Sequence, residues 1–239
     1  MAADRKFGKY KPEEEMAASG IKVEQNDALK KIFQAFRNFI DEARKLDDTF
    51  CNNEIDGSID VTMYETAPPI VKNLECSSDD VEAFCILLDH FVDSEKSPSI
   101  ACSMQSYAGY FMSAMINCGN EERYRIRTGH LGFELSWLGF RNKKFVDIEG
   151  DAGQFLGYEM QGGRITVSGS ARSIGFEMSG GAIHINGEAI GWMGAKMTGG
   201  EIRLQERDDN IEPTKGGRIY IRGRLVADGN TGYTPPSSG

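Results

Sequence analysis

The chain is poor in the residues on which catalytic centres are most often built. It holds 3 histidines and 5 cysteines in 239 residues. Cys51, Cys76, Cys85, Cys102 and Cys118 form no C-x-x-C pair, and no spacing among them matches a zinc or iron–sulfur site. Their odd number, with the apolar surroundings of Cys85 and Cys102, predicts free buried thiols in a reducing compartment. No G-x-S-x-G elbow occurs, so a standard α/β-hydrolase nucleophile is excluded, and no G-x-x-x-x-G-K-[ST] loop occurs to cradle a phosphate. Basic excess is also missing: 27 Lys and Arg face 36 Asp and Glu, a net charge of −9. That balance argues against nucleic acid or an anionic membrane as partner. The nearest basic stretch, Arg123, Arg125, Arg127, Arg141, Lys143 and Lys144, is interleaved with Glu121, Glu122 and Glu134. No run of 18 apolar residues exists to span a membrane, and residues 1–20 are charged without the apolar stretch of a signal peptide. The cytoplasm is therefore the expected compartment.

What the chain does have is glycine, 28 in all, of which 22 fall in residues 130–239. Four pairs recur: Gly162-Gly163, Gly180-Gly181, Gly199-Gly200 and Gly216-Gly217, at spacings of 18, 19 and 17 residues. A period of that size marks a solenoid in which each repeat is one stacked coil. The stretches "FLGYEMQGGRITVSGSA" from Phe155, "SIGFEMSGGAIHINGEA" from Ser173 and "WMGAKMTGGEIRLQER" from Trp192 superimpose almost without gaps. "TKGGRIYIRG" from Thr214 extends the series. "WLGFRNKKFVDIEGDA" from Trp137 precedes it, with Lys143-Lys144 in place of a glycine pair.

Each repeat ends in a short alternating strand. Val146, Ile165, Ile183, Ile202 and Ile219 form one aliphatic set; Ile148, Val167, Ile185, Leu204 and Ile221 form another two residues on. The position between them reads Asp147, Thr166, His184, Arg203 and Tyr220. Period-two alternation places both aliphatic sets on one face and the mixed set on the other. Stacked coil on coil at ~4.8 Å, the aliphatic sets become ladders filling a rod about 24 Å long. Met160, Met178 and Met197 make a third ladder, and Leu138, Leu156, Ile174 and Met193 a fourth. Corners between strands need positive φ, which glycine adopts cheaply. Gly157, Gly175 and Gly194, with Gly162, Gly163, Gly180, Gly181, Gly199, Gly200, Gly216 and Gly217, are thus expected to be structural corner glycines.

The combined pattern, G-x-x-[LIM]-G-x-x-M-x-G-G-x-I-x-[VIL]-x-G-x-A, closely resembles the glycine-repeat β-helix domain at the C-terminus of the glutamate synthase large subunit. It also resembles the glycine-repeat subunit of formylmethanofuran dehydrogenase. The resemblance covers about residues 130–226. It implies a right-handed parallel β-helix of four to five coils of about 18 residues, which makes the chain mainly β. It also implies a scaffold role, because in both relatives this domain packs against catalytic domains and does not carry the flavin, iron–sulfur, molybdenum or tungsten chemistry. No catalytic residue, cofactor or metal ligand is transferred by it.

Ahead of the repeat the pattern is helical and matches no named family. Leu29, Ile32, Phe33, Phe36, Phe39, Ile40, Ala43 and Leu46 recur at three- and four-residue spacing from a start near Asn26. Ser77 and Asp80 form a capping box for a helix over 78–93, and a further helix is predicted over 101–117. Residues 54–64 alternate around Asp56-Gly57 and are expected to form a hairpin or short strand, broken by Pro68-Pro69. Residues 124–136 read as strand. The expected division is a disordered tail over 1–20, a small helical (α+β) domain over 21–125, the β-helix domain over 126–230 and a flexible tail over 231–239. The helices are expected to cap one end of the rod, whose strand edge would otherwise be open.

Few residues then remain as candidates for chemistry. His184 is expected to face outward with no nucleophile or carboxylate partner, as a surface residue of its ladder. His90 and Asp93 share a helix face, but two ligands do not make a metal site. His130 sits at the domain junction. An aromatic column, Trp137, Phe155 and Trp192 with Phe140, Tyr158 and Phe176, faces either the core or a partner. Trp137, Phe155, Tyr158, Phe176 and Trp192 are therefore the candidate interface. The expected function is a non-catalytic assembly subunit holding protein partners, or copies of itself, in a larger enzyme complex. Two alternatives stand beside it: a free-standing regulatory protein, and a hydrolase or oxidoreductase with its site at the seam between the two domains.

Overall fold

The computed structural model describes residues 27–50, 58–94, 98–207, 211, 215–229 and 232–233. Residues 1–20, Cys51, Asp56-Gly57 and residues 234–239 lie outside them. The described chain begins with four helices: α1 Asp27–Phe50, α2 Ser58–Val71, α3 Ser78–Ser94 and α4 Pro98–Cys118. The aromatic face of α1 is buried as its spacing requires, with Phe36 and Phe39 fully enclosed. The capping box forms: Ser77 N donates to Asp80 Oδ2 at 3.0 Å, and Asp80 N donates to Ser77 Oγ at 3.1 Å. Residues 58–64, expected as strand or hairpin, are instead the first half of α2, and that helix runs through Pro68 and Pro69. Burial of Met63, Tyr64, Ala67 and Val71 along one side of α2 overrides the weak alternation and the prolines.

Beyond the helices lies a parallel β-solenoid of about five turns over residues 123–221. Its strands are β1 Arg123–Arg127, β2 Phe145–Glu149, β3 Arg164–Val167, β4 Ala171–Ile174, β5 Ala182–Met193, β6 Thr198–Arg207 and β7 Gly216–Ile221. The main sheet runs β1-β2-β3-β5-β6-β7, all parallel, while β4 pairs with the second half of β5 on another side of the coil. The register aligns Val146, Ile165, Ile183, Ile202 and Ile219 rung by rung. All five are buried, as are the methionine and leucine-type ladders. β1 adds a rung: Tyr124 pairs with Val146 and Ile126 with Ile148, and Tyr124 and Ile126 are fully buried. The boundary expected between residues 125 and 126 thus falls inside a strand of the solenoid.

The chain covers the first coil with a helix and extends the last with antiparallel strands. At the start, α3 lies against β1: Arg127 Nε pairs with Glu82 Oε1 at 2.7 Å, and Cys85 Sγ donates to Arg127 O at 3.3 Å. At the finish, the parallel run stops at Ile221 rather than continuing to 226. Arg222 and Gly223, both at positive φ, form a two-residue hairpin into the antiparallel strand β8 Arg224–Asp228. A short strand β9, Gly232–Tyr233, pairs in turn with β8, although it falls within the expected C-terminal tail. Helices and solenoid share one contiguous apolar core.

The glycine pairs serve close stacking, and the two members differ. The second glycine has positive φ, 85° at Gly181. The first does not, but a Cβ at Gly180 would meet Gln161 O of the coil beneath at 2.6 Å. Lys143-Lys144 can stand at this place in the first coil because no earlier pair lies beneath them. Phe145 N donates to Glu122 O, so the neighbour there is the link out of α4. Gly162, stacked over Lys143, has its nearest atom for a Cβ at 3.9 Å. We therefore expect Gly181→Ala to lower stability by about 2 kcal/mol or more, since left-handed strain adds to a clash with Gly162 O. Gly162→Ala should change stability by less than about 0.5 kcal/mol. Chemical denaturation of the two proteins decides; equal losses would refute this account of the pair.

Candidate interaction surfaces

The aromatic column splits into two stacks. Trp137 lies over Phe155 with centroids 4.3 Å apart, and Phe140, Tyr158 and Phe176 stack at 5.3 and 5.2 Å. The helices close over the lower ends: Tyr110 of α4 stacks on Trp137 at 5.2 Å, and Tyr64 of α2 on Phe140 at 4.5 Å. Trp137 and Tyr158 are buried, so they form the seam inside the chain and offer no partner surface. Phe155 and Phe176 are half-buried, and Lys196 Nζ sits 5.2 Å from the Phe176 ring centre. Ser113 ties the seam: its buried Oγ donates to Gly109 O at 2.7 Å and accepts from Gly139 N at 2.9 Å and Phe140 N at 3.2 Å.

Trp192 does not join the column. Trp137, Phe155 and Ser173 have positive φ, but in the next coil that conformation passes to Gly191. A Cβ on Gly191 would meet Ser173 Oγ at 3.3 Å, so Gly191 is the residue stacked on Ser173. The pairing slips there, from Arg172 with Ile190 to Ile174 with Met193. Trp192 is the extra residue of the 19-residue coil, and it is thrown outward to 50 % exposure. Of the five candidate interface residues it is the one the structure presents openly. We expect Trp192→Ala to shift stability by no more than about 0.5 kcal/mol. Trp137→Ala, which opens the seam, should cost about 3–5 kcal/mol. Thermal unfolding followed by circular dichroism separates the two, and a large loss at Trp192 would show that its ring is packed.

The outward face of the main sheet is a second surface. Across the six parallel strands one row reads Arg123, Phe145, Arg164, Ala182, Glu201, Arg218. The next outward row reads Arg125, Asp147, Thr166, His184, Arg203, Tyr220. Arg123 pairs with Asp147 at 2.7 Å, and both Arg203 and Arg218 reach Glu201. Arg203 also lies over the Tyr220 ring at 4.5 Å and Arg123 over the Phe145 ring at 5.5 Å. His184 lies between Thr166 and Arg203, facing outward as its position in the alternation requires. Partial burial, then the neighbouring Arg164 and Arg203, lowers its pKa.

The remaining candidates are structural or solvent-facing. His90 is exposed on α3. His130 is part-buried, with Nε2 3.1 Å from Cys85 O, and helps hold the 128–133 loop on α3 together with Asp89, whose carboxylate accepts from Gly132 N. Cys76, Cys85 and Cys118 are free thiols. Burial pushes Cys76 up to about 12 and Cys85 higher still, so neither is a ready thiolate. Among the described residues no three His, Cys, Asp or Glu side chains gather as metal ligands, and no helix is long and apolar enough to cross a membrane.

The fold and these surfaces define a parallel β-solenoid with a helical cap on its first coil. Comparison of the chain with protein-family models, with curated proteins and with solved structures gives no match in any of the three.

Proposed function

We propose that this chain is a non-catalytic assembly subunit that packs against catalytic partners in a larger enzyme complex. The glycine-repeat pattern points to complexes of the glutamate synthase or formylmethanofuran dehydrogenase type. The observation that carries this reading is that both edge strands of the parallel stack are occupied from within the chain, β1 by α3 and β7 by β8. With the edges of β1 and β7 both occupied from within the chain, the flanks are left for contact, and here they carry an exposed tryptophan and outward rows of arginines and aromatics. Trp, Tyr and Arg are the residues that anchor protein interfaces most often. The seam reads as packing: rings from α2 and α4 stack directly on Phe140 and Trp137.

Two measurements test this together. Native protein purified from its own cells should bring a stoichiometric companion. The purified single chain, first checked for bound flavin and metal, should turn over no ester, amide or redox dye. Robust turnover abolished by one point substitution, or a stoichiometric cofactor, would overturn the proposal in favour of an enzyme.

A further inference from the structure

The outward face of the main sheet has a charge opposite to that of the chain. Its two rows hold twelve positions, filled by five arginines and two carboxylates, in a chain of net charge −9. The acids do not cancel the arginines. Asp147 is taken by Arg123, and Glu201 is shared by Arg203 and Arg218. Arg125 reaches off the two rows, to Glu149 at 3.6 Å. Arg164 is exposed, and no carboxylate of the described residues lies within ion-pair distance of it. The surplus positive charge therefore falls on Arg164, which has no carboxylate among the described residues, and on Arg203 and Arg218, which share one, over strands β3, β6 and β7.

The shape of the strip selects among anions. Six strands at ~4.8 Å make it about 24 Å long, and two outward rows make it about 7 Å wide. That is too narrow for a folded protein surface, which needs about 800 Å² per partner. It fits one extended chain of about seven residues laid along the solenoid axis. Every cation on the strip is arginine and none is lysine, and two rings, Phe145 and Tyr220, lie under guanidinium groups. Arginine presents a planar fork to a carboxylate and is enriched with aromatics at protein interfaces, where lysine is depleted.

We propose that this strip binds an extended acidic peptide segment of a partner protein, its carboxylates paired with Arg164, Arg203 and Arg218 across strands β3, β6 and β7. This rests on the assembly reading above and names the chemistry of the partner. Thr166 and Ala182, the small residues between the arginines, leave room for the segment's backbone.

The test uses the full chain and a fluorescein-labelled octaglutamate peptide, followed by anisotropy at low salt. Octaglutamate should bind, with affinity falling as salt rises. The double variant Arg164→Ala/Arg203→Ala should bind at least about tenfold more weakly, while Trp192→Ala binds as the parent does. Both arginines are exposed, and circular dichroism checks that the double variant folds. Thr166→Glu, which sets a carboxylate in the strip, should weaken binding independently. Absence of binding, or undiminished binding by both variants, overturns the proposal. So does tighter binding of a labelled octathymidylate, which would make the strip a nucleic-acid surface. If the natural companion still co-purifies with the double variant, the strip is not the contact, and the assembly reading stands on another flank.

Discussion

Ile183→Asp should leave the chain without a folded solenoid. Ile183 is fully buried, stacked between Ile165 and Ile202 in the register of the sheet. Its Cδ1 occupies the space that a Cβ on Gly157 would fill, at 2.6 Å. A carboxylate there has no cation within the ladder and no route to water. An unpaired buried charge costs several kcal/mol even after relaxation, and removal of the isoleucine packing adds about 2–5 kcal/mol. Together these approach the whole stability of an ordinary domain, about 5–15 kcal/mol. The neighbouring substitution His184→Asp places the same group one residue along, on the outward face, and should leave the fold intact. Far-UV circular dichroism and size-exclusion chromatography on the pair read the result. A soluble, cooperatively unfolding Ile183→Asp protein would refute the inward assignment of this ladder.

That alternation is legible in the sequence because each coil repeats it, so five weak signals fall in register. Features that do not repeat are harder to read. Tyr124 and Ile126 continue both ladders into β1, but no glycine pair precedes them; the strand expected over 124–136 ends at Arg127, and residues 128–136 are turns and loop. The helix α2 is hidden because its evidence is tertiary: Tyr64 is buried against Phe140, 76 residues along the chain, while locally the sequence shows Asp56-Gly57 and two prolines. Trp192 aligns with Trp137 and Phe155 by residue type. Gly191 in fact takes the left-handed place, and one extra residue decides whether the ring points in or out. The outward strip is visible in the sequence only as the mixed row between two aliphatic ones. Its charge surplus emerges once the register shows which acids are already paired.

A fragment of residues 130–239 should fail to fold as a monomer. The cut removes β1, so β2 loses its neighbour and the rungs Val146 and Ile148 become the open end of the core. It also removes Tyr64 and Tyr110, the rings that close over Phe140 and Trp137. Ser113 Oγ, which accepts from Gly139 N and Phe140 N, is lost with them. Uncovering a large apolar side chain costs about 1.5–3 kcal/mol. Four of them, Trp137, Leu138, Phe140 and Val146, are buried in the intact chain and lie at the uncovered end. Their combined exposure rivals the stability of the domain. The bare β2 edge, free to pair with another chain, supplies the route to aggregation. Light scattering on the refolded fragment should show large assemblies, and adding back residues 27–129 as a separate chain should reduce them. A monomeric fragment with the strand signal and unfolding transition of the parent would mean that the coils carry their own stability. The helices would then be an attachment to the rod and not part of its core.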